Sequence, residues 1–115
     1  MHIDSLITYF DKHLALSAEE KQAVRDSFSE RRVKRRQFIL QEGDVCKLNS
    51  FVAEGCFRMY LMDDRGKEHN LQFAIEDWWI GDIASFHSGE PSRLNIEAIE
   101  DSVILQIGKE DHHPW

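Results

Sequence analysis

At 115 residues with a formal net charge of −7, the chain has room for one domain around a single core, and not for a sensor plus a separate effector of ordinary size. Its composition, 42% hydrophobic and 30% charged, excludes a disordered or membrane-embedded chain. The acidic balance disfavours a nonspecific hold on phosphate backbones, which depends on Lys and Arg displacing counterions.

No apolar run approaches the roughly 20 residues of a membrane span. Met1-His2-Ile3-Asp4 lacks the basic start, apolar stretch and cleavage site of a secretory signal. A cytoplasmic location without membrane contact is therefore expected. Cys46 and Cys56 match no thiol redox pair and supply half of a four-ligand zinc or iron–sulfur site. Both read as reduced thiols filling space.

In chain order, Ile3, Leu6, Ile7, Phe10 and Leu14 recur at steps of three and four, which gathers them on one face of a first helix. Ser17-Ala18-Glu19-Glu20 reads as a capping box opening a second helix from about Ala18 to Phe28. After Glu30 the period changes to two. Val33, Phe38 and Ile39, then Phe57-Met59-Leu61, Leu71-Phe73-Ile75 and Val103-Leu105-Ile107, predict strands with one buried face.

Arg31-Arg32-Val33-Lys34-Arg35-Arg36 fits a solvated edge strand whose charges deter further pairing better than it fits a nucleic-acid patch. Glu42-Gly43-Asp44, Glu54-Gly55 and Asp63-Asp64-Arg65-Gly66 supply the turns. Short strands at this spacing point to a barrel or jelly roll. Of the tandem Trp78 and Trp79, one is expected in the core and one on the surface, the other reading being a stacking platform for a purine.

Gly81-Asp82 followed by Ile83-Ala84-Ser85-Phe86-His87 predicts a capped single-turn helix inside the strand sequence. Gly108 through Asp111 reads as the entry to another helix. His69 and His87 stand alone, and no His-x-His motif accompanies a carboxylate, so no metal site and no enzyme activity is expected.

This order of elements resembles the cyclic-nucleotide-binding domain of Crp/Fnr-type bacterial transcription regulators. The resemblance spans roughly Leu16 to Ile107. It is carried by Phe38-Ile39-Leu40-Gln41-Glu42-Gly43-Asp44, Phe51 through Tyr60, Gly66, and Trp79-Ile80-Gly81-Asp82-Ile83-Ala84-Ser85-Phe86. It implies a mainly β fold with short helices, a double-stranded β-helix (jelly roll) preceded by an N-terminal helix pair. The expected division is 1–29 helices, 30–107 β-roll and 108–115 the start of a truncated helix, within one domain over 1–115.

In that family a phosphate cassette opens with Gly-Glu at a short helix and closes with Arg beside Ser, Thr or Ala. By resemblance, Gly81 and Asp82 take the first place, with the amides of Ile83 and Ala84 completing an anion cradle. Ungapped counting puts Ser92 at the arginine position and Arg93 one residue late. Strand alternation then predicts Arg93 turned away from the pocket unless a bulge corrects it. Trp78-Trp79 reads as one added residue that alters the pocket wall. For Asp82 and Arg93 the alternative is a helix cap and a surface ion-pair partner.

The resemblance further implies a ligand-sensing regulatory domain with cAMP, cGMP or another small anion as effector and no other cofactor. It implies a homodimer in the full-length protein, and DNA contact only through a helix-turn-helix domain absent from these residues. Two alternatives stay open: the same fold as a dimerisation or interaction scaffold without a nucleotide, and a cupin-like metal enzyme.

Overall fold

The computed structural model describes residues 2–109. Helices α1 (His2–Leu14) and α2 (Ala18–Ser27) come first. They are followed by β1 (Ser29–Val33), β2 (Phe38–Leu40), β3 (Leu48–Glu54), β4 (Phe57–Met62), β5 (Glu68–Ala74) and β6 (Trp79–Ile80). Helix α3 (Ile83–Ser88), β7 (Leu94–Ala98) and β8 (Ser102–Gly108) complete the order.

The capping box opens α2 as the sequence predicts. Ser17 Oγ accepts from the Glu20 amide at 3.1 Å, and the Glu20 carboxylate accepts from the Ser17 amide at 2.9 Å. Two amides of the first turn are thereby satisfied without water.

The strands form two antiparallel four-stranded sheets, ordered β1-β8-β3-β6 and β2-β7-β4-β5. Val33, Val52, Ile80 and Ile104 from the first sheet meet Leu40, Phe57, Ala74, Ile96 and Ala98 from the second in one core. A second core lies on the outer face of the first sheet. There Leu6, Ile7, Phe10, Val24 and Phe28 of the helical segment cover Phe51, Leu105 and Ile107.

This arrangement corrects the expectation of one buried face per strand. In β8, Ile104 turns into the roll while Leu105 and Ile107 turn under the helices. The strand is sandwiched between two apolar layers, which its continuous Val103-Ile104-Leu105 run reflects. The strand also keeps Gly108, one residue beyond the expected end. The helix expected over 108–115 otherwise falls outside the described residues, save for Lys109.

The set Leu71-Phe73-Ile75 is also corrected, because all three are about half exposed while Ala74 is buried. Periodicity of two fixes which residues share a face but not which face meets the core. Here the small Ala74 takes the inner position on an edge strand. In β4, Phe57 is buried and Met59 is partly buried, but Tyr60 rather than Leu61 is the next buried residue. The extra residue at the β4–β5 register shift is Leu71 of β5, and β4 pairs β7 without a shift; Tyr60 is instead covered by Phe38 and by the Arg58 guanidinium stacked 4.0 Å from its ring centre.

The basic run behaves as an edge. Among the described residues β1 pairs only with β8; Arg31 and Arg32 are exposed, and Val33 is buried. The tryptophans divide as expected: Trp78 is half exposed, and Trp79 packs against Phe10, Phe28 and Phe51. Gly55 turns β3 into β4 at φ +102°, and a Cβ there would lie 2.8 Å from the Ser102 Cα.

Candidate functional site

The segment between β6 and β7 holds the candidate residues. Asp82 is the N-cap of α3, and its Oδ1 accepts from the Ser85 amide at 3.1 Å. Gly89 ends the helix in the left-handed region at φ +78°, its amide bonded to the Ser85 carbonyl at 2.9 Å. Ser85 itself is buried. Its hydroxyl donates to the Glu90 carbonyl at 2.6 Å and accepts from the Cys46 amide at 2.9 Å. This short helix is fixed to the β2–β3 connection by a side chain that sequence reading passed over, since a serine mid-helix carries no pattern of its own.

Ser92 is 3% exposed. Its hydroxyl donates to Asp82 Oδ2 at 2.6 Å and accepts from the Leu94 amide at 3.0 Å. Its backbone is held as firmly: the amide donates to the Asp44 carbonyl at 2.7 Å, and the carbonyl accepts from the Gly43 amide at 2.8 Å. The Gly43-Asp44 turn thus anchors the entry to β7. Both oxygens of Asp82 are engaged, one by the helix and one by Ser92.

Arg93 lies in the bend before β7 rather than in the strand, so strict alternation does not govern it. Its side chain is exposed and forms no ion pair or hydrogen bond with another described residue. It borders a cavity of about 380 Å³ together with Leu61, Asp82, Ala84, Ser85 and Ser88. Ile83 is half exposed and is not among the lining residues. Gly81 faces elsewhere: a Cβ on it would meet Asn49 Oδ1 at 3.0 Å. Neither tryptophan lines this cavity.

Burial pushes the Cys46 thiol up, against the opposing pull of a hydrogen bond from the Asp82 backbone. The Cys56 thiol is also pushed up by burial. Both cysteines are free and protonated at neutral pH. Among the described residues no group of three or more His, Cys, Asp or Glu is gathered to hold a metal. No helix of the described residues is long and apolar enough to cross a membrane.

A two-sheet β-roll with a capped short helix between β6 and β7 is the arrangement that comparison recovers. Residues 30–113 match the model of the cyclic nucleotide-binding domain. The chain belongs to that family. Among curated proteins, none matches its sequence.

Solved structures agree on the fold of this cyclic nucleotide-binding domain. A catabolite activator protein from Thermus thermophilus is 22% identical with a TM-score of 0.75, over 90% of this chain and 46% of that one. The N-terminal domain of a transcriptional regulator from Streptomyces coelicolor A3(2) is 25% identical with a TM-score of 0.74, over 93% and 74% of the two chains. The regulatory subunit of a cAMP-independent protein kinase A from Trypanosoma cruzi, bound to guanosine, is 14% identical with a TM-score of 0.76, over 96% and 40%. The chain thus spans less than half the length of the activator and kinase subunits it resembles. Its neighbours include Crp/Fnr-type regulators.

Proposed function

We propose that this domain is the effector-sensing part of a Crp/Fnr-like transcription regulator, binding a small anionic ligand in the cavity between α3 and β7. The observation that carries this reading is the pairing of a capped Asp82 with the uncommitted Arg93 on one cavity wall. An anion there would meet the guanidinium, while the Asp82 carboxylate would take a hydroxyl donor of the ligand. The amide of Ala84, which borders the cavity, completes the proposed contact set; Gly81, Ile83 and Ser92 do not line it, and Ser92 acts by holding Asp82. Cyclic AMP and cyclic GMP are the first candidates.

In the same reading, residues 1–115 act as one sensor domain in the cytoplasm, without enzymatic activity. The full-length protein is a homodimer and meets DNA through a separate domain. The half-exposed Leu71, Phe73, Ile75 and Trp78 give the domain an apolar surface that suits a second copy. A ligand would act by favouring one arrangement of α3, because only differential affinity shifts an equilibrium.

One observation favours a second reading. By ungapped counting Ser92 stands at the position that the family fills with arginine, and its hydroxyl is bonded to Asp82, so no cation stands at that position to meet a phosphate. The guanosine-bound kinase subunit is a relative described as cAMP-independent, and the scaffold reading needs no ligand at all.

Calorimetric titration with cyclic AMP, cyclic GMP and guanosine separates these. Heat with a cyclic nucleotide that disappears in Arg93→Ala supports the anion site. Heat with guanosine alone, or with none of the three, counts against it.

A further inference from the structure

A second cavity, of about 300 Å³, opens between the two sheets. Gly81 borders it, whereas Asp82, Ser92 and Arg93 do not. On one wall Ser50 of β3 and Gln106 of β8 stand directly opposite each other in the strand register. They are 1% and 8% exposed, and Gln106 Nε2 donates to Ser50 Oγ at 3.2 Å. Positions facing the interior of a β-roll ordinarily carry aliphatic side chains, as Val52 and Ile104 do two residues along the same strands.

The bond between Ser50 and Gln106 uses one amide hydrogen and one lone pair of the hydroxyl. The Ser50 hydroxyl hydrogen and the second Gln106 amide hydrogen find no acceptor among the described residues. A buried polar group without a partner is unfavourable, and both of these stand on the wall of a cavity with room for an acceptor. Around them Leu40, Ile80 and Ile96 make apolar walls. The cavity also borders Arg31 and Lys47, neither in an ion pair with a described residue, while Asp44 is turned to its own loop through the Gln41 amide at 3.3 Å.

We propose that this cavity is a second ligand site, for a small monocarboxylate with a short aliphatic tail. The carboxylate accepts from the Ser50 hydroxyl and the Gln106 amide, with the positive charge of Arg31 and Lys47 nearby, and the tail lies against the isoleucines. A cavity of this volume falls at the small end of ligand pockets. Cys46 lines it, and the Cys46 amide donates to Ser85 Oγ at 2.9 Å. An occupant therefore sits one hydrogen bond from α3, independent of whether the α3 cavity binds a nucleotide.

The test is a titration of the full chain with sodium butyrate, followed by amide correlation spectra and controlled with sodium chloride at the same ionic strength. Saturable shifts of the Cys46 and Ser50 amides and of the Gln106 side-chain amide are expected. Gln106→Leu, which replaces the amide by an apolar group of similar size, is expected to weaken butyrate binding at least about tenfold, the equivalent of ~1.4 kcal/mol. Its urea midpoint should stay or rise, because the unsatisfied group is gone. Ser50→Ala carries the same affinity expectation should the first variant not fold. A cavity holding only water, seen as no saturable shift at these residues, overturns the proposal. So does unchanged butyrate affinity in a folded variant, or a Gln106→Leu midpoint that falls steeply.

Discussion

The hydroxyl of Ser92 donates a 2.6 Å hydrogen bond to the carboxylate of Asp82, tying the first turn of α3 to the segment that enters β7. Replacing Ser92 by Ala leaves one Asp82 carboxylate oxygen and the Leu94 amide, both only partly buried, without this partner. A loss of about 1–3 kcal/mol is expected, read as a lower urea midpoint at unchanged slope. Ser92→Arg puts a cation beside Asp82 where the family carries one. This variant should gain heat on titration with cyclic AMP relative to the parent chain, and a variant that folds yet gains none would detach this position from ligand binding.

Gly55 has no room for a side chain. Its φ of +102° disfavours any L-residue, and an added Cβ would lie 2.6 Å from the Ser102 Cβ. Gly55→Ala should therefore cost about 2–4 kcal/mol. Gly66, also at positive φ but with nothing within 4 Å, should lose only about 1 kcal/mol as Gly66→Ala. Equal midpoints for the two variants in urea would contradict the close approach at Ser102.

The hairpin between β4 and β5 should respond to acid. His69 Nε2 lies 2.9 Å from Asp63 Oδ2, and the amides of Arg65 and Lys67 donate to Oδ1, each at 2.9 Å. His69 foremost, then the Lys67 amide, holds the Asp63 carboxyl below its usual value. The folded value being the lower one, the stabilisation is complete above the unfolded pKa of about 4 and disappears as pH falls through the folded pKa. A carboxyl-carbon titration should show an Asp63 midpoint below about 4 that rises in His69→Ala. A midpoint that ignores the substitution would remove His69 from the account.

Phe73→Glu tests what the outer face of β5 is for. The side chain is half exposed, so unfolding stability should change by no more than about 0.5 kcal/mol. Sedimentation should show association weakened, because a charge would have to be desolvated in any contact between copies. Unaltered association would separate this strip from the homodimer.

How much was legible in the sequence follows from the reach of each signal. Ser17 and Glu20 reveal the start of α2 because a capping box is completed within one turn of chain. Asp82 reveals α3 for the same reason. Leu71, Phe73 and Ile75 mislead because alternation carries no label for inside, and that choice was made by Ala74 packing across the roll. At the candidate site, counting brought Ser92 to the family's arginine position, and the structure buries its hydroxyl against Asp82. Counting did not place Arg93, whose direction depends on where β7 begins. Ser85 and Gln106 act through partners far away in the chain, Cys46 and Ser50, and no local pattern announces them.

Among the described residues β1 pairs with β8 alone, with Ser29 opposite Gln106 and Val33 opposite Ser102. Contacts between residues so distant in sequence are slow to form, because a long loop must close before any of them is rewarded. During synthesis, β1, β3 and β6 leave the ribosome before the strand that joins β1 to β3 in their sheet. Phe51 and the apolar side of α1 meanwhile wait without Leu105 and Ile107 to cover them. The interval before β8 appears is therefore when this chain most needs a chaperone, and slowing translation across Ser102–Gly108 should lower its soluble yield more than slowing it anywhere earlier.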